Sequence, residues 1–66
     1  MKLNRDKFQL AMARACFEVK DLVSASGLPR PSINNAIQGK QLRPATIGRI
    51  AKALGVDVTE ILEEEE

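Results

Sequence analysis

The chain has 66 residues, with 10 Lys or Arg, 9 Asp or Glu, no His and one Cys, and a formal net charge of +1. A domain this short buries only about 60% of the surface its unfolded chain exposes, which leaves no room for a core and an enclosed substrate cavity together. With no imidazole for acid, base or metal work, the expectation is one non-enzymatic domain over residues 1–66, with no metal and no cofactor.

The charge is unevenly placed. Four of the nine acids are Glu63 to Glu66, so the other 62 residues carry ten cations against five acids, a net +5. A basic body can draw in phosphate whatever the summed charge of the chain. The glutamates read as a solvated acidic tail, frayed at the end of a helix. Cys16 stands among Ala13, Ala15 and Phe17 and is expected to be a small buried apolar side chain rather than a reactive thiol. A lone cysteine excludes an internal disulfide and suits a reducing compartment. No run approaches the roughly 18 apolar residues of a membrane span, and the first residues lack a signal-peptide pattern. The expected location is therefore cytoplasmic, away from the membrane.

No sustained strand-like alternation occurs, and Pro and Gly divide the chain into short helical pieces. The first helix, about residues 5–16, starts after Asn4 as N-cap and gathers Phe8, Ala11, Met12 and Ala15 on one face. The second, about 19–26, presents Leu22, Val23 and Ala25 and is closed by Gly27. The turn Gly27-Leu28-Pro29 leads to a third helix, about 31–38, with Pro31 in its first turn, where a missing N–H is harmless. The loop Gly39 to Pro44 precedes a fourth helix, about 45–54, whose stripe is Ile47, Ile50, Ala51 and Leu54. Asp57 with Glu60 forms a capping box, and Val56 with Ile61 a hydrophobic staple, for a fifth helix over about 58–64. The fold class expected is a compact all-α domain of five helices.

Two short helices joined by a tight Gly-containing turn can project the outer face of the second into a DNA major groove. Leu22, Val23, Leu28, Ile33 and Ile37 would pack between the pair. The outer face carries Arg30, Ser32, Asn34, Asn35 and Gln38, with no acid among them. A guanidinium can pair bidentately with guanine, an amide with adenine, and a hydroxyl with either.

The residues also resemble a family. From Leu22 to Leu62 the chain is similar to the lambda-repressor-like helix-turn-helix family of phage repressors, Cro proteins and small bacterial regulators. The stretch Leu22-Val-Ser-Ala-Ser-Gly-Leu-Pro-Arg-Pro-Ser-Ile-Asn-Asn-Ala-Ile-Gln-Gly-Lys40 follows its pattern. Arg43-Pro44-Ala45-Thr46-Ile47 and Ile50 to Val56 look like its fourth helix, and Ile61 and Leu62 meet its last apolar positions. The resemblance implies base reading by Arg30, Pro31, Asn34 and Asn35, with Ser32 on a base or a phosphate. It implies phosphate contacts at Gly39, Lys40 and Arg43, with Gln38 and Lys20 beside them.

Three positions depart from the family pattern. Val19 stands where a phosphate-touching Gln is usual, and Glu18 puts an acid next to it, which Lys20 can compensate. Pro31 can offer only apolar contact, such as to a thymine methyl. Met12 and Ile37 replace a buried Arg–Glu pair and are expected to touch each other, an exchange that is commonly neutral or stabilising.

The reading is a sequence-specific double-stranded DNA-binding transcriptional regulator of repressor type. A single reader covers few base pairs, so a homodimer on a pseudo-palindromic operator is expected. The end of the fourth helix and Val58, Ile61 and Leu62 are candidates for its dimer surface, with core packing as the alternative for the same residues. A second functional reading is a protein-interaction module on the same scaffold, such as an antitoxin subunit.

Overall fold

The computed structural model describes residues 1–63. Its elements in chain order are α1 (Arg5–Ala15), α2 (Val19–Ser26), α3 (Arg30–Ile37), α4 (Pro44–Leu54) and a 3-10 turn (Val58–Glu60). Asn4 starts α1 from extended backbone, and its side-chain Oδ1 accepts the N–H of Lys7 at 3.0 Å. The two ends of α2 are set by Asp21, which accepts the N–H of Glu18 at 2.8 Å, and by left-handed Gly27 at φ 71°. Pro44 is the first residue of α4, where it removes no helical hydrogen bond. Pro31 is the second residue of α3, which begins one residue earlier than expected.

Two expectations are corrected. Cys16 is exposed, not buried. It ends α1 one residue early by turning left-handed, at φ 58°, and is the one non-glycine among the described residues to do so. Its N–H donates to the carbonyl of Ala13 at 3.1 Å, and that of Phe17 to Met12 at 2.9 Å, so the last carbonyls of α1 are satisfied. Phe17, not Cys16, packs against the core.

The second correction concerns the fifth helix. Four helices are present among the described residues, and the segment expected as a fifth is one 3-10 turn; residue 64, its expected end, and the rest of the tail lie outside the described residues. The capping box is formed, with the N–H of Asp57 donating to Glu60 Oε2 at 3.1 Å. The chain then leaves helical geometry because its backbone groups go elsewhere. The Ile61 carbonyl accepts the N–H of Asn4 at 2.8 Å, the N–H of Glu63 donates to the Lys2 carbonyl at 2.9 Å, and Leu3 pairs with Leu62 in an isolated antiparallel bridge.

The four helices pack around Phe8, Leu22, Ile33, Ile47 and Ile50, with Leu3 and Ile61 closing the core where the two ends of the described chain meet. Ile47, Ile50, Ala51 and Leu54 of α4 are all buried, as their helical spacing requires. Burying such an aliphatic or aromatic side chain is worth about 1.5–3 kcal/mol relative to leaving it exposed. No polar or charged described residue is buried. Ile61 is wholly inside the fold, while Val58 and Leu62 are half-buried against it, so Ile61 is a core residue rather than surface for a second copy.

Candidate nucleic-acid interface

The α2–turn–α3 unit is positioned by its apolar side. Leu22 and Ile33 are fully buried, and Val23, Leu28 and Ile37 pack against the same core. Gly27 allows the reversal between the helices through its backbone angle alone, since a Cβ there would meet nothing within 4 Å. Leu28 reaches down under the turn, and its N–H donates to Ser26 Oγ at 3.2 Å.

At about 100° per residue, burying Ile33 and Ala36 turns Arg30, Asn34, Gln38 and Pro31 outward in one stripe. All four are exposed, with Ser32 and Asn35 half-buried on its edge. None of the five polar side chains in this set, Arg30, Ser32, Asn34, Asn35 and Gln38, makes an internal hydrogen bond or ion pair among the described residues. No acid occurs in α3. The expected reading face is thus brought together as one continuous surface.

The expected phosphate residues divide into two places. Gly39, Lys40 and Arg43 follow α3 directly, with Lys40 and Arg43 exposed. Gly39 is left-handed at φ 73°. Its N–H donates to the Ala36 carbonyl at 3.1 Å, and that of Lys40 to the Asn35 carbonyl at 3.0 Å, so both amides help to end the helix. Lys20 lies in the first turn of α2, with its Nζ 3.6 Å from Glu18 Oε2. Its charge is therefore partly compensated before any phosphate arrives.

Met12 and Ile37 line one apolar groove between α1 and α3, together with Phe8, Phe17 and Val19. Both are half-buried and packed on the core. This is the place where the family resemblance implies an ion pair, and here it is hydrocarbon on both sides.

One cation near this surface was not legible as part of it. The side chain of Arg5, on the first turn of α1, lies over Gly39: a Cβ added there would be 3.5 Å from Arg5 Cδ. No local spacing links the two residues. Outside this face, Asp57 is a carboxyl with a displaced acidity. Hydrogen bonds from the backbone N–H of Thr59, at 2.9 Å, and from its hydroxyl, at 2.8 Å, hold it below its usual 3.8.

Among the described residues there is no cluster of three His, Cys, Asp or Glu that could hold a metal ion, and no helix long and apolar enough to cross a membrane. Residues 7–66 match the family model of the Cro/C1-type HTH DNA-binding domain. No curated protein and no solved structure matches the chain.

Proposed function

The chain belongs to the Cro/C1-type HTH DNA-binding domain family, and from that premise we propose that it is a sequence-specific transcriptional regulator, of repressor type, that reads the major groove with α3. The observation that carries this reading is the outer face of α3. Its guanidinium, amides and hydroxyl have no internal partner among the described residues, and no acid stands on the helix to repel DNA. Side chains left unpartnered at a helix surface are available to base edges, and these particular groups match the major-groove pattern of guanine and adenine.

In this reading Arg30, Asn34 and Asn35 contact bases, Pro31 supplies apolar contact to a thymine methyl, and Ser32 serves a base or a phosphate. Lys40 and Arg43 hold the sugar-phosphate backbone beyond the end of α3, with Gln38 and Gly39 beside them and Lys20 at the start of α2. Phosphate contacts fix register and base contacts give specificity, so both sets are needed. A homodimer on a pseudo-palindromic operator would double the few base pairs that one α3 can read.

Selection of bound duplexes from a random pool at about 0.15 M salt, near physiological screening, tests the proposal. Enrichment of a pseudo-palindrome with half-sites about 10 base pairs apart supports a dimeric reader. A single enriched half-site supports base reading and overturns the homodimer. No enrichment, with no binding even at low salt, overturns DNA reading and favours a protein partner on the same face.

A further inference from the structure

Arg5 is fixed at the edge of the α3 surface by contacts at both of its flanks. Before it, the N–H of Asn4 donates to the Ile61 carbonyl at 2.8 Å, and Asn4 Oδ1 caps α1 at Lys7. The loop behind α3 is tied to the same segment, since the N–H of Leu42 donates to the Met1 carbonyl at 2.7 Å. These bonds bring the first turn of α1 alongside the turn that ends α3. A Cβ at Gly39 would lie 3.5 Å from Arg5 Cδ and 3.6 Å from Cγ, ordinary van der Waals separations, so the aliphatic stem passes beside the glycine. The residue is exposed, and among the described residues it forms no ion pair and no hydrogen bond. Asp6 and Glu63 share a shallow hollow with it without pairing.

We infer that Arg5 is a DNA phosphate contact, which grips with Lys40 the backbone that passes the C-terminal end of α3. The inference rests on the DNA reading proposed above. A guanidinium is suited to the task because its planar fork matches phosphate oxygens bidentately and stays charged at any working pH. Its stem already runs beside Gly39, toward the loop where Lys40 stands. Gly39 supplies the left-handed turn beside which the arginine stem lies. The contact carries no sequence information, and Arg5 acts alike on every duplex. It also adds α1 to the elements that contact the backbone, beside the loop that follows α3.

The test compares the unsubstituted chain with Arg5→Met and Arg5→Lys on a mixed-sequence duplex of about 20 base pairs and on the duplex recovered by selection, by anisotropy over a series of salt concentrations. Methionine keeps an apolar stem over Gly39 and removes the charge; lysine keeps the charge. Arg5→Met is expected to flatten the slope of log K against log salt by about 0.9, which at 0.1 M amounts to a loss of about eightfold relative to 1 M. The loss is the same on both duplexes, and Arg5→Lys keeps the parental slope. A parental slope and affinity in Arg5→Met overturns the inference while leaving the DNA reading intact. So does a loss confined to the selected duplex, which would make Arg5 a positioning residue for a base reader. Failure of the unsubstituted chain to bind any duplex at low salt overturns both readings together.

Discussion

Glu18 and Lys20 form an ion pair at 3.6 Å at the entry to α2, with both side chains 75% exposed. The cation expected to meet phosphate there already has a carboxylate beside it, and in the proposed complex that carboxylate would repel the DNA backbone. Glu18→Gln removes the repulsion and frees Lys20, while Asp21 still accepts the N–H at the start of α2. An exposed pair of this kind is worth only about 0.2–1 kcal/mol, so the expected gain in affinity is about threefold, on all sequences alike and largest at low salt. Anisotropy at two salt concentrations measures it; no gain at either would mean that the α2 entry stands off the DNA.

The two sets of contacts on α3 and its loop separate by their dependence on sequence. Asn34→Ala and Asn35→Ala are each expected to cost about 1–3 kcal/mol on the selected duplex and to relax preference at one base position. Lys40→Ala weakens every duplex similarly and reduces the salt slope by about one. Titrations of matched and scrambled duplexes distinguish the two. Equal losses on both for an asparagine would remove it from the base readers.

Leu3 is buried, at 1% exposure, although it lies outside every helix. Its side chain belongs to the buried core cluster, and its backbone bridges Leu62. Leu3→Ala should therefore destabilise the domain by about 2–5 kcal/mol, the usual range for a buried leucine. That is a large share of the roughly 5–15 kcal/mol that holds a small domain folded. Urea unfolding gives the value, and a loss below about 1 kcal/mol would mean that the N-terminal segment contributes little to the fold.

Asp57 predicts a pH effect with a definite sign. Its folded-state acidity lies below the usual 3.8, because the Thr59 backbone N–H and then its hydroxyl favour the carboxylate. The folded protein therefore releases this proton more readily than the unfolded chain. Stability from the pair is fully present above the unfolded value and disappears as pH falls through the folded one. Thermal midpoints from pH 7 down to about pH 2.5 should fall less steeply in Asp57→Asn, which keeps a capping side chain without the titrating group. Parallel curves for the two proteins would disprove the assignment.

Much of this architecture is legible locally. Asn4 and the Asp57–Glu60 pair mark helix starts by side-chain chemistry that acts over about three residues, Gly27 marks a helix end by its left-handed backbone, and each is found in its role. The α4 stripe and the outward face of α3 follow from helical period alone. What sequence could not give depends on distant partners. The capping box correctly marks where a helical turn starts, but not its length, which is cut short because Ile61 and Glu63 bond to Asn4 and Lys2. Cys16 has apolar neighbours, yet its left-handed backbone turns it outward, and no glycine signals that turn. Arg5 looks like any solvated cation until the fold lays it on Gly39.

The stitch between the segments around Leu3 and Leu62 also bears on how the fold opens. The bond from the Glu63 N–H to the Lys2 carbonyl joins positions 61 apart, the longest loop closed by a hydrogen bond among the described residues, and loop closure costs more entropy as the loop lengthens. Terminal segments commonly open by local fluctuations that leave the helical core assembled. Amide exchange should thus be faster at Asn4 and Glu63 than at Leu22 or Ile50. Each such opening unfastens the first turn of α1, and with it the seat of Arg5. If Arg5 holds phosphate as proposed, its grip is tied to breathing at the opposite end of the described sequence.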